Sequence, residues 1–458
     1  MDGKAWIQQL VGTAELGDRR RTHRLVKLIE SLMAHPVGTL PSKLSRAELK
    51  AAYRWCSADD VTHASVEQAV RRGTLSLCKE TPGTILILHD SSELDYSFRR
   101  SLREQLGAIG DGRGRGYSCH SSVAVTPEGR FLGVVGQILH RPVRAPKGEG
   151  HADRRERATR NSLLWLKGTT ELPADQRYVD VCDRGADTFE FLEHELLSGR
   201  RFVIRGKNNR RCYAGHHGHR EVKLMEYLRR QPSRGTKALP VGHKRSRPAR
   251  VATLQVSWAA VQLRCPQVRK GHHGRAPLLV WCVRLWEKRG KLERFLLVGH
   301  PIETLKQALE VAGWYEKRWV QEEWHKCLKT GCGVEALQFT DRARLEPMIM
   351  VLSVVAGWLL QVRDLARDDE ASRQPATEVV PNKVVRTLCL WRHREEKPLW
   401  SVREFCLALG RLGGHQNRKS DGLPGWITLW RGYERLACML EYQQILEETA
   451  KKKKKNVG

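Results

Sequence analysis

A chain of 458 residues is longer than one hydrophobic core usually organises, and its 40% apolar content suffices for two or three domains. The formal charge of +29 calls for a polyanionic partner, nucleic acid first and an anionic membrane surface second. A bilayer-spanning run of about 18 apolar residues is lacking, as is a secretory pattern at the N-terminus. The 12 cysteines are scattered without a CxxC pair, so a disulfide framework is excluded and a cytosolic protein with reduced thiols is expected.

Residues 1 to about 70 read as helical. "RTHRLVKLIESLMAH" carries apolar residues at helical spacing, and "SRAELKAAYRWCS" begins a second helix with Ser45 as N-cap. Arg19, Arg20, Arg21 and Arg24 crowd the start of the first helix; on their own they would pass as a solvated basic face. From about residue 82 the pattern becomes mixed α/β. "TILILHD" is a buried-strand run ending in an acid, "SSVAVTPEG" and "FLGVVGQILH" are strands around a turn, and "NSLLWLKGTTEL" is a helix. "RYVDVCD" is a strand that again ends in an acid, "TFEFLEHELLSG" is a helix closed by Gly199, and "RFVIRGK" is another strand.

Residues from about 205 to 290–300 form a β-rich insertion. Its basic, turn-rich loops include "HHGH" and "GHHG", read as exposed loops before metal sites, and its strands include "VATLQVSWAAVQL" and "LLVWCVRLWE". "CLKTGC", with Cys327 and Cys332, reads as ordinary thiols before a zinc site. The apolar helix "LEPMIMVLSVVAGWLLQVRDLA" is too short and too flanked by charge for a membrane span. A polar linker leads to a small helical domain over 371–448, and the lysine-rich end, 449–458, is expected to be disordered.

Chemistry concentrates in "YEKRWVQEEWHK". On one helix Tyr315, Arg318, Glu322, His325 and Lys329 share a face. The bland reading is a surface of ion pairs, with Arg318–Glu322 as an i,i+4 pair. Asp90 and Asp183, however, close two strands, and ligand chemistry in α/β sheets collects past strand ends. Two such acids repel unless a cation lies between them. With Glu322 they make an all-oxygen set suited to Mg²⁺ or Mn²⁺, and two such ions about 4 Å apart serve phosphodiester chemistry.

The spacing Tyr315-x2-Arg318-x3-Glu322-x6-Lys329 resembles the signature of the insertion-sequence-4 family of DDE transposases. So do, in the same order, "LGDRRRTHRLVKL", "AAYRWC", "HDSSELDYS", "CDRGADTFEFL", "RFVIRGK", "RPAR", "EEWHKCLKTGCGVE" and "RLGGHQNRKSDGLPGWITLWRGYERL", covering nearly the whole chain. The resemblance implies an α/β fold with a ribonuclease-H-like catalytic core over 71–370, interrupted by the β-rich insertion. It also implies an N-terminal helical DNA-binding domain (1–70) and a C-terminal helical dimerisation domain (371–448). Asp90, Asp183 and Glu322 are implied as catalytic metal ligands for two Mg²⁺ or Mn²⁺ ions.

The implied reaction is cut-and-paste transposition: a nick at the transposon end, hairpin formation by the freed 3′-hydroxyl, reopening by water, and joining to target DNA. Tyr315, Arg318 and Lys329 match residues that grip the DNA backbone, Arg20, Arg24 and Arg54 match contacts to the transposon end, and Arg205 and Lys207 match basic residues near the DNA. Where the relatives place a Trp that stacks on a flipped base, this chain has Arg294, which puts the hairpin step in doubt before the nick. The partners implied are double-stranded DNA and, in the DNA complex, a second copy of the chain paired through the C-terminal region, where Trp426, Leu429, Trp430, Tyr433, Leu436 and Leu440 form an apolar stripe that is in part internal core; no membrane partner is expected. Two rival readings are a metal-dependent nuclease that cuts without joining and a catalytically silent DNA-binding regulator.

Overall fold

The computed structural model describes residues 3–34, 38–216, 218–242, 248, 250–266, 274, 276–396, 400–418 and 421–455. Five helices open the chain: Gly3–Val11, Arg19–Ala34, the single turn Leu40–Lys43, Arg46–Cys56 and His63–Glu80. Ser45 caps the fourth as its sequence foretells. Its hydroxyl accepts from the Glu48 amide, and the Glu48 carboxylate accepts from the Ser45 amide at 2.9 Å.

A 12-stranded mixed sheet follows. Its strands are β1 (Ile85–Asp95), β2 (Gly107–Ile109), β3 (Gly114–Val125), β4 (Phe131–His140), β5 (Tyr178–Cys182), β6 (Arg201–Arg205), β7 (Arg211–Ala214), β8 (Glu221–Lys223), β9 (Gly235–Val241), β10 (Arg250–Leu263), β11 (Leu278–Glu287) and β12 (Glu293–Val298). One half runs β4-β3-β1-β5-β6, with β4, β3 and β1 antiparallel in turn and β1, β5 and β6 parallel. The strands of the basic stretch build no separate sheet. β12 pairs with β6, and β11, β10 and β7 extend the same sheet outward.

Both faces are covered, which is why β1 opens on the apolar run Ile85–Leu88 and β5 is apolar but for Asp180. Leu86 and Leu88 on β1, with Val179 and Val181 on β5, join one large core, together with the helices Leu305–Glu316, Trp319–Lys326 and Arg342–Leu365. Alternate residues face the other way. Ile85 and Ile87 meet Leu132 and Leu172, while Cys182, Phe202 and Ile204 meet Phe189 and Leu192.

The first core also takes in the N-terminal and C-terminal helices. Lys43, almost fully buried, donates to the Cys332 carbonyl at 2.7 Å, and the Tyr433 hydroxyl donates to the Met33 carbonyl at 3.0 Å. Arg342–Leu365, at 24 residues, is longer than the sequence reading allowed and is apolar enough to cross a membrane by length and composition. However, 88% of its apolar window is buried within the protein.

Trp426, Leu429, Trp430, Tyr433, Leu436 and Leu440 are all buried in the chain's own core, the whole stripe rather than the part expected. The helix that carries it runs from Trp426 to Lys455, through residues 449–455 where disorder was expected; a lysine run has good helix propensity and continues a helix already nucleated by packing.

Candidate active site and nucleic-acid interface

Asp90 does not end its strand, as the sequence suggested; β1 continues five residues further, to Asp95, by pairing with β3 alone. What ends is its parallel pairing with β5, whose last partners are His89 and Cys182. Asp90 and Asp183 are therefore the next residues on two strands that have just parted. Both follow the alternation of Leu86/Leu88 and Val179/Val181, so both leave the sheet on the face covered by helix Trp319–Lys326. Asp183 caps the following turn, its Oδ1 accepting from the Gly185 amide at 2.7 Å.

Glu322 lies on that helix, but the polar stripe is not one straight helix. Leu305–Glu316 stops, Lys317 and Arg318 form a turn, Trp319–Lys326 resumes, and Cys327–Gly331 is a π-turn. Arg318 thus stands at a joint and reaches across. Its Nη1 donates to Asp90 Oδ2 at 2.9 Å and its Nη2 to Glu322 Oε1, tying strand to helix. Asp90 Oδ1 accepts from the Ser91 amide at 2.9 Å. Burial, and behind it the negative charges of Asp183 and Glu322, pushes the Asp90 carboxyl up to about 6 against the opposing pull of Arg318.

The other stripe members have separate surroundings. Tyr315 is buried. The Arg294 guanidinium stands 6.0 Å from the centre of its ring, and burial together with the neighbouring Arg205 and Arg318 cations lowers the Arg294 pKa. Arg294 thus has Tyr315, Arg205 and Arg318 around it. His325 is buried rather than on a polar face, and its imidazole is pushed down to about 3 by burial and then by Lys329 and Arg318. Lys329, on the π-turn, donates to the Glu93 carbonyl at 2.9 Å and pairs with Glu335 at 3.1 Å. Trp319 is exposed, with Lys326 over its ring at 4.6 Å.

Among the described residues no three His, Cys, Asp or Glu side chains form a ready-made metal cluster. Arg318 lies between Asp90 and Glu322. The donor chemistry itself, three carboxylates, fits a hard divalent cation. Cys327 and Cys332 are buried free thiols, and His272 and His273 of "GHHG" lie outside the described residues.

Beneath Asp90, on the opposite sheet face, lies a buried network that sequence reasoning missed. His89 Nε2 is 2.8 Å from Asp180 Oδ1, and the Ser122 hydroxyl is 2.9 Å from His89 Nδ1. Arg200 Nε donates to Asp180 Oδ2 at 2.9 Å, and Arg200 also pairs with Glu195 at 3.7 Å. The signal was an acid inside the apolar run "YVDVC" and a histidine inside "ILILHD".

Away from the acids, Arg20 is 92% exposed and lines a surface cavity with Arg19, Arg24 and His23. Arg54 is exposed on helix Arg46–Cys56. Lys207 lines a cavity with Arg154, Arg160, Arg210, Arg211 and Arg264, and its backbone amide donates to Asp187 at 2.7 Å. A surface of this sign suits DNA phosphates. Residues 3–61, the helices that present Arg20, Arg24 and Arg54, match the family model described as Transposase DNA-binding, which makes DNA the partner of this segment and a transposase the class of protein to which it points.

Proposed function

We propose that the chain is a cut-and-paste DNA transposase of the insertion-sequence-4 type with a ribonuclease-H-like catalytic core. The observation that carries this reading is that Arg318 joins Asp90 to Glu322 where β1 and β5 part, with Asp183 the next residue after β5. The strand order β4-β3-β1-β5-β6, three antiparallel and three parallel with β1 shared, supports the core. The excursion from β6 to β12 corresponds to the insertion.

Asp90, Asp183 and Glu322 would hold Mg²⁺ or Mn²⁺. When bound, the metal supplies charge neutralisation and Lewis acidity for in-line displacement at phosphorus. The protein's own part is positioning. Arg318 beside the acids, with Tyr315 and Arg294 near it, would hold a backbone phosphate there, and the planar Arg294 would stack on an extruded base. Lys329 grips the backbone further along, Lys207 follows it away from the site, and Arg20, Arg24 and Arg54 hold the transposon end. In the DNA complex two copies pair. With the stripe from Trp426 to Leu440 buried, the exposed apolar residues described on that helix are Ile427 near its start and the strip Tyr442, Ile445 and Leu446, and the strip would serve for pairing.

A gel assay on end-containing DNA tests the reading, since it separates nicked, hairpin and joined products. The wild-type protein is expected to give all three with Mg²⁺ and none with EDTA. Asp90→Ala, Asp183→Ala and Glu322→Ala are expected to give none while binding ends within a few-fold of wild type. Nicks without joined product would identify a nuclease, and tight binding without any cleavage a silent regulator.

A further inference from the structure

We propose that Arg318 is the resident counter-ion of the carboxylate site, so that a divalent cation and the Arg318 guanidinium compete for the same oxygens and DNA decides the contest. The inference rests on the reading of Asp90, Asp183 and Glu322 as metal ligands.

Three observations carry it. Arg318 donates to Asp90 and to Glu322 at once, through its two terminal nitrogens, and so lies between the two groups that a shared cation would have to bridge. Asp90 offers little alternative, because its Oδ1 already accepts from the Ser91 amide and Oδ2 is the oxygen Arg318 holds. The guanidinium is also only 20% exposed, so the ion pair is less screened by water than a surface pair. A cation entering the site must therefore displace a forked, charge-assisted contact.

Arg318 has somewhere else to go. It stands at the turn between two helical segments, near Tyr315 and Arg294, and Arg294 in turn has Arg205 near it. These guanidinium groups repel one another until an anion joins them. A DNA phosphate placed there gives Arg318 a second bidentate partner and frees Asp90 and Glu322 for the cation. The two ligands then bind cooperatively: each removes the obstacle to the other, and the coupling is reciprocal. A chain that meets Mg²⁺ without DNA keeps its site closed by its own side chain.

The experiment measures Mn²⁺ binding to the full chain by the electron paramagnetic resonance of free Mn²⁺, with and without an end-containing duplex. The Asp90→Asn protein with the same duplex is the blank for Mn²⁺ held by DNA itself. Wild type is expected to bind Mn²⁺ at the site at least about tenfold more tightly with DNA than without. Arg318→Met, free of DNA, is expected to bind at least about tenfold more tightly than DNA-free wild type, and to gain little more when DNA is added. Arg318→Gln, which keeps polar reach without the charge, carries the same expectation should the Met variant fold poorly. If DNA-free Arg318 variants that melt like wild type bind Mn²⁺ no better than wild type, while Asp90→Asn removes the site, the counter-ion role is overturned and the metal site stands. If Asp90→Asn and Glu322→Gln leave Mn²⁺ binding unchanged, the metal-site reading itself falls.

Discussion

His89 and Asp180, 91 residues apart in sequence, meet at 2.8 Å with neither side chain exposed to water. The contact ties β1 to β5 one residue before Asp90 and three residues before Asp183, and Arg200 closes it from behind. Burial alone would push the Asp180 carboxyl up, but the hydrogen bond and charge of His89, with Arg200, hold it below its ordinary range; Glu195 beside it is pushed up, by burial and by the Asp180 charge.

Arg200→Met should therefore strand Asp180 with one partner fewer. Removing one side of a buried ion pair costs about 3–5 kcal/mol. The check is the midpoint of urea unfolding, and a loss under about 1 kcal/mol would show that the network is not structural.

Acid should loosen the fold through buried neutral imidazoles. His300 is pushed down to about 4, by burial and then by Arg201, from an ordinary 6.5. A depressed histidine contributes stability that is fully present above the unfolded value and lost as pH falls through the folded one, so its contribution fades from pH 6.5 to about 4. His300→Gln should lessen the loss of stability over that window by about 1–2 kcal/mol, after discounting for partial exposure. Thermal melts at pH 7.5 and 4.5 measure it, and equal pH sensitivity in the two proteins would refute it.

Salt should weaken end binding steeply, because each phosphate neutralised adds about −0.9 to the slope of log K against log salt. Replacing Arg20 and Arg24 together by Gln should make the slope shallower by roughly 2 units if each meets one phosphate. Fluorescence anisotropy across a salt series reads this directly, and an unchanged slope would move the DNA elsewhere on the surface.

The last helix separates fold from assembly. Tyr433→Ala, at a fully buried ring, should cost about 3–5 kcal/mol. Tyr442→Ser with Ile445→Ser and Leu446→Ser, at exposed positions, should leave stability within about 0.5 kcal/mol each while abolishing paired-end complexes on native gels. Normal pairing by that triple variant would place the dimer contact on another surface.

How legible these features were depends on how local their causes are. "TILILHD" announced its strand by the continuous apolar run that burial on both faces forces, and "RYVDVCD" by alternation. Ser45 announced its helix through a capping box four residues long. The extension of β1 past Asp90 was hidden, since Ser91, Ser92 and Glu93 look like a loop and are held by β3 from about 30 residues away. The joint at Lys317–Arg318 carries no Gly or Pro to mark it, so one helix face was drawn where there are two segments and a π-turn. The periodicity from Trp426 to Leu440 was plain, but periodicity shows that a face is covered and not by what; Tyr433 finds Met33, 400 residues upstream.

The bonds from Lys43 to Cys332 and from Tyr433 to Met33 have a consequence for the DNA. They tie the N-terminal helices, which carry Arg20 and Arg24, to the turn that follows the Glu322 helix and to the last helix. On the proposed reading, a duplex held at Arg20 and Arg24 and cut at the acids is then measured in helical phase as well as in length. One base pair added between the two points turns the second about 35° around the axis.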